Sequence, residues 1–290
     1  MDIGVISVPQ AFLYELPSAS ISDEVLAGWV VGILDEVSGY YKVITHYGYT
    51  GYILKSALKR VDKISYFKRL QEDRQAVVQS TFLDVLEAPS VKSKILTTLF
   101  RGSFVFVSDE TVDKYIKIET GNGLIGYVPN IAIRRRLDTD DFFYSKSGFD
   151  YFSEQKIAFD KEHEIREALV HHAYRYLGVP YRWGGKTPTG IDCSGMVFMC
   201  YMLCGILIFR DSRIEDPYPI KEIPVTKASK GDLLYFPGHV AMYLGDGKYI
   251  HSTAHQTSFS CVVNSFRPCD PEYRADLADA VLHAGSAFTK

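Results

Sequence analysis

Ten residues occur twice in the N-terminal half of the chain: GYILKSALKR at 51–60 and GYVPNIAIRR at 126–135 align without a gap. A near-repeat of this kind means that one small folding unit is built twice. Upstream, FLYELP from Phe12 and FLDVLEAP from Phe82 open the two copies, and strand-sized runs at 30–34, 40–45, 103–107 and 115–119 fill them. Each copy, about sixty residues long, reads as a small all-β barrel. The 20 Tyr and 17 Phe of the chain suit barrels better than helical bundles. The expected division is a first barrel at 1–62, a charged and partly helical connector at 63–74, a second barrel at 75–136, a linker at 137–160 and a third domain at 161–290. The linker is rich in Asp, Phe and Tyr, and its aromatics would be costly to leave in water, so it is expected to pack on the domains it joins.

The third domain turns on the run PYRWGGKTPTGIDCSGMVFMCYMLCG at 180–205. Gly184, Gly185, Pro188 and Gly190 keep the backbone turning until about Ile191. Met196, Val197, Cys200, Tyr201 and Cys204 then recur at helical spacing, and Gly205 stands where a helix C′ glycine is expected. Cys193 thus falls in the first turn of a buried helix, where free N–H groups and the macrodipole favour a thiolate and a depressed thiol pKa. Cys200 and Cys204 fit the plainer reading of a buried structural cysteine. Cys193 departs from it through Asp192 before it and Ser194 and Gly195 after it. An amphipathic helix at 165–177, stopped by Gly178 and Pro180, should lie beside the Cys193 helix, and Trp183 is read as a core residue.

A cysteine nucleophile needs a base and the base an orienting group. Three short strands are expected at 232–236, 239–244 and 248–253, the last two joined by a hairpin loop of Gly245, Asp246 and Gly247. If Leu244 faces Lys248, Ala241 faces His251 and His239 faces Thr253. His239 and His251 then share one face as diagonal neighbours within reach of a ring-to-ring hydrogen bond. Cys193 as nucleophile, His239 as base and His251 as orienter reproduce the logic of a papain-like site. For the tail at 275–283, helix and strand both remain open.

The segments PYRWGG, IDCSGMVF, KGDLLYF, GHVAMYLGDG and YIHS resemble, in order, the motif series of the NlpC peptidoglycan endopeptidases, which are papain-like cysteine peptidases. The two barrels resemble the bacterial SH3-like domains that commonly precede such catalytic domains. The fold class expected is therefore α+β, a papain-like catalytic domain behind two small all-β SH3-like barrels. The resemblance implies a murein stem peptide as substrate, cut between γ-D-glutamate and diaminopimelate or lysine. It also implies a required free N-terminal L-Ala, release of L-Ala-γ-D-Glu, and a Tyr181 hydroxyl beside the thiol that helps hold the oxyanion. Tyr49 in YGYTGY and Glu24 in SDEVLAG match family positions at the amine end of the substrate. A buried substrate ammonium needs anionic or hydroxyl partners, and Asp192 and Ser194, which flank the nucleophile, are the nearest candidates.

Basic and acidic residues nearly balance, 32 against 35, so nucleic acid and anionic membranes are not expected partners. The longest apolar run, 196–209, is too short to span a bilayer and is broken by Gly205. Nothing basic precedes Lys42, so no leader is expected and a cytoplasmic role in recycling wall peptides is the leading reading. Five cysteines, three of them crowded into 193–204, suggest no disulfide framework. No cofactor or metal is expected, since Cys193 and the histidines lack a closely spaced ligand pair of the zinc kind. A secreted wall hydrolase anchored by its barrels is the alternative, and a catalytically silent binding protein a third reading.

Overall fold

The computed structural model describes residues 1–72, 74–135 and 157–289. It divides into two compact units, Met1–Gly148 and Phe149–Lys290. The linker expected at 137–160 lies, up to residue 156, outside the described residues.

The first unit holds two seven-stranded antiparallel sheets. One is made of β1 (Asp2–Ile6), β2 (Gln10–Tyr14), β3 (Ile21–Leu26), β4 (Val30–Val37), β5 (Tyr40–Thr45), β6 (Thr50–Leu54) and β7 (Leu58–Val61). After α1 (Lys63–Glu72) come β8 (Arg74–Val78), β9 (Phe82–Leu86), β10 (Ile95–Phe100), β11 (Phe104–Val112), β12 (Tyr115–Thr120), β13 (Ile125–Pro129) and β14 (Ile133–Arg135). The strand orders are β3-β2-β6-β5-β4-β1-β7 and β10-β9-β13-β12-β11-β8-β14, the same arrangement moved seven strands on. The repeated decapeptide is the strand, single 3-10 turn and strand that close each sheet, with Ala57 and Ala132 buried in the two turns. Its leading glycine is fixed by close approach. A Cβ on Gly51 would stand 2.9 Å from Leu13 Cβ, and one on Gly126 2.7 Å from the Leu86 carbonyl oxygen. The two sheets meet where Phe104 N–H donates to the Ala27 carbonyl at 2.9 Å and Trp29 Nε1 to the Gly102 carbonyl at 2.8 Å. Gly28, at φ +78°, permits that contact, because a side chain there would strike the Phe104 carbonyl.

The second unit contains α2 (Glu162–Tyr174), the short ribbon β15 (Lys186–Thr187) and β16 (Gly190–Ile191), α3 (Cys193–Leu203), β17 (Lys221–Ile223), β18 (Leu233–Phe236), β19 (His239–Gly245), β20 (Lys248–Thr253), β21 (Ser260–Ser265), α4 (Ala275–Ala280) and β22 (His283–Ser286). The sheet order is β17-β22-β18-β19-β20-β21, with α3 against β19 and β20 and α2 against α3. Every residue of α3 is buried, as expected of a helix that is apolar on all sides. It ends in a Schellman motif: Gly205, at φ +83°, donates to the Met202 carbonyl and Ile206 to the Tyr201 carbonyl, both at 3.0 Å.

Three expectations are corrected. The tail at 275–283, left open between helix and strand, becomes both, a short α4 and then the inner strand β22. Strand β21 was not expected at all, although the β-branched Val262 and Val263 follow Cys261 in a short apolar run. Trp183, read as core, is 64 % exposed. Among the described residues no helix is long and apolar enough to cross a membrane.

Candidate active site

Cys193 is the first residue of α3 and Asp192 its N-cap. The Asp192 carboxylate accepts from Gly195 N–H at 2.6 Å and Gly184 N–H at 2.7 Å, joining the helix start to the glycine loop before it. Arg210, only 2 % exposed, donates to both carboxylate oxygens at 3.1 and 3.0 Å and to Ser194 Oγ at 2.5 Å. Asp192 is therefore already surrounded by protein donors, and its visible work is to cap the helix and compensate a buried guanidinium. Gly195 is required by crowding: a Cβ there would lie 2.2 Å from the Gly185 carbonyl oxygen. On the other side, Ser252 Oγ donates to the Ile191 carbonyl at 2.7 Å, tying β20 to the residue two before the cysteine.

The hairpin opposes the cysteine as its register requires. Met242 faces Ile250 and Tyr243 faces Tyr249, which sets Ala241 across from His251 and His239 diagonal to it. At the tip the expected Leu244–Lys248 pair is replaced by Gly245–Lys248. Leu244 is bulged out because Asp246 and Gly247, at φ +51° and +75°, form the tighter two-residue turn favoured by an Asp-Gly sequence. His239 Nε2 lies 2.6 Å from His251 Nδ1, with the rings edge-to-face. His251, fully buried, reaches Asn264 Oδ1 on β21 through Nε2 at 2.8 Å. Asn264 Nδ2 donates to the Glu272 carbonyl at 2.9 Å. The backbone N–H of Val240, the residue after His239, is near enough to the Cys193 sulfur to favour a thiolate there.

Burial dominates the electrostatics. It pushes the Cys193 thiol up to about 11, with Asp192 adding to the rise and the Val240 and Ser194 N–H groups and Arg210 opposing it. His239 is pushed down to about 3 by burial and then by His251 and Arg274, and His251 to about 4, chiefly by burial. The depressed thiol pKa expected from the helix start is thus overturned. A helix terminus contributes at most about 2 kcal/mol in favour of the anion, and the burial of the thiol outweighs it. Both shifts favour the uncharged forms, a thiol and a neutral imidazole.

Tyr181 lies within electrostatic reach of Cys193 and Asp192, and burial raises its phenol, so that it remains a protonated donor. Ser194 is buried at 6 % exposure beneath Arg210. In the first unit, Tyr49 is half-buried in the turn after β5, where its N–H donates to Thr45 Oγ1 at 2.9 Å. Glu24 is fully buried in β3 beside Asp23, which accepts from the Tyr47 hydroxyl. Two residues of the site escaped the sequence reading. A signal for Arg210 was present, a single charge closing the apolar stretch ILIFR, but Asn264 depended on the unrecognised β21. Among the described residues no three His, Cys, Asp or Glu side chains converge as a metal-ligand set.

The pattern of the NlpC/P60 family matches residues 178–268, which contain Tyr181, Asp192, Cys193, Arg210, His239, His251 and Asn264, and that of the bacterial SH3 domain matches 81–131. The chain is 36 % identical to a dipeptidyl-peptidase 6 of Lysinibacillus sphaericus, over 98 % of this chain and 99 % of that protein. It is 25 % identical to a gamma-D-glutamyl-L-lysine dipeptidyl-peptidase of Bacillus cereus (strain ATCC 10987 / NRS 248), over 83 % and 70 % of the two chains. The crystal structure of a NlpC/P60 family protein from Bacillus cereus ATCC 10987 superposes with a TM-score of 0.76 over 99 % of this chain and all of that one. At 20 % identity this last likeness concerns the fold alone.

Proposed function

The chain belongs to the NlpC/P60 family and is a peptidase, and on that premise we propose that it hydrolyses the γ-D-glutamyl bond to diaminopimelate or lysine in murein stem peptides bearing a free N-terminal L-Ala, releasing L-Ala-γ-D-Glu. Cys193 is the nucleophile, His239 the base and His251 its orienter. The observation that carries this reading is the hydrogen-bonded His239–His251 pair on the two strands, β19 and β20, that pack against the helix Cys193 opens. As sulfur attacks the carbonyl carbon, its proton passes to His239. The oxyanion accepts from the Cys193 backbone N–H and the Tyr181 hydroxyl. The C–N bond then breaks, His239 returns the proton to the leaving amine, and water drawn against the freed imidazole hydrolyses the γ-glutamyl thioester.

The choice of substrate draws on the names of the two relatives above. A need for a free L-Ala amine would direct the enzyme to released peptides, because in the intact wall that amine is acylated; the role assigned here is accordingly peptide recycling. Both halves of the first unit are taken as SH3-like modules, which is supported by the match at 81–131 and by the identical strand order of the other copy. The test is mass spectrometry of digests of L-Ala-γ-D-Glu-L-Lys and its diaminopimelate counterpart, each with and without an N-acetyl group. L-Ala-γ-D-Glu should appear from the free peptides alone. Equal cleavage of the acetylated forms, or release of peptides from intact sacculi, would move the activity to wall hydrolysis.

A further inference from the structure

We infer that Asn264 is a positioning residue for this site, which fixes the tautomer of both histidines and so decides which nitrogen of His239 can take the thiol proton. The inference rests on the peptidase reading above for its consequence, but its geometric part does not.

A backbone carbonyl can only accept, so the 2.9 Å bond to the Glu272 oxygen assigns the NH2 group of Asn264 to that side and turns Oδ1 towards His251. Oδ1 can only accept in turn, and the nitrogen 2.8 Å from it, His251 Nε2, must carry a proton. A neutral imidazole has one N–H, which leaves His251 Nδ1 as a lone pair. The nitrogen 2.6 Å from that lone pair, His239 Nε2, is then the donor. By the same exclusion His239 Nδ1 is unprotonated, as a general base must be. The polarity of the whole chain is thus set by one peptide carbonyl at its far end.

The sheet explains why this residue can do it. Tyr249 faces Asn264 and His251 faces Val262, so Asn264 is the diagonal neighbour of His251 on β21, as His239 is on β19. The other groups around His251 do not compete for its ring nitrogens. The Tyr249 ring lies edge-on at 5.4 Å, and Arg274, Asp276 and His255 act on it electrostatically, with Arg274 and Asp276 paired to each other at 2.6 Å.

The test is nitrogen-15 NMR of the histidine rings in the full-length protein near neutral pH, read beside kcat and its pH profile. In the unsubstituted protein both His239 and His251 should show the Nε2–H form. Asn264→Ala, checked for native folding by circular dichroism, should lose that uniform pattern and lower kcat roughly 10- to 100-fold with little change in KM. Asn264→Asp keeps the acceptor, so it should restore the tautomers and, through its negative charge, move the acid limb of the kcat profile to higher pH. An Nδ1–H form at His251 in the unsubstituted protein, or an Asn264→Ala protein with unchanged tautomers and kcat, would overturn the inference. If the unsubstituted protein cleaves no stem peptide, the proposed function fails while the tautomer measurement still stands or falls by itself.

Discussion

The helix start and the sheet face on either side of Cys193 bury polar groups under opposite electrostatic regimes. At the helix start, Asp192 and Arg210 form an ion pair with nearly every lone pair engaged. On the sheet, His239 and His251 bond to each other and to a neutral amide, and burial holds both uncharged. Charge is thus placed where it fixes architecture and withheld where protons must move. Burial favours the uncharged form of the thiol as well, and under the proposed function its proton would leave during attack on the carbonyl.

The contrast can be broken at several points. Cys193→Ala should lower kcat by more than about 10⁴-fold, towards the background of such triads, with an unchanged circular dichroism spectrum; substantial residual activity would remove the nucleophile from the account. Asp192→Ala strands Arg210 in the interior and should cost about 3–5 kcal/mol in denaturant unfolding. Adding Arg210→Met should recover part of that loss, and a cost below 1 kcal/mol for the single variant would show that the pair does little. On the histidine side the sign is fixed by linkage. Both folded-state pKa values, about 3 and 4, lie below the unfolded value near 6.5, so the unfolded chain binds more protons between them. Their contribution is complete above pH 6.5 and is lost as the pH falls towards 4, with a slope of up to about 1.4 kcal/mol per pH unit for each histidine. His251→Gln should flatten that slope in denaturant midpoints measured across the range. The smallest effect sharpens the geometry: Gly195→Ala, which presses a methyl group against the Gly185 carbonyl, should cost about 1–3 kcal/mol in the same assay.

Much of this was legible before any coordinates because the relevant signals are local. The glycine loop, the apolar run and Gly205 mark both ends of α3, and period-two alternation places His239 and His251 on one face in the register that sets Ala241 across from His251, which the bulge at Leu244 preserves behind the tighter turn. The repeated decapeptide is equally local, a strand and a single 3-10 turn whose first glycine is forced by a neighbouring strand. What was illegible depends on distant partners. The thiol and imidazole pKa values are set by burial under elements far away in the sequence, which outweighed the helix terminus. Arg210 and Asn264 acquire their roles only when residues well separated along the chain are brought together. Trp183 misled because its bulk suggested core, whereas the loop that carries it turns it outward.

The most direct test of the neutral pair is the rate of Cys193 alkylation by iodoacetamide, followed by peptide mass spectrometry from pH 5 to 11. With the thiol near 11, the rate should climb steadily through the alkaline range and show no plateau near neutrality. A plateau already reached below pH 7 would mean a thiolate paired with an imidazolium in the resting protein, and would contradict the account.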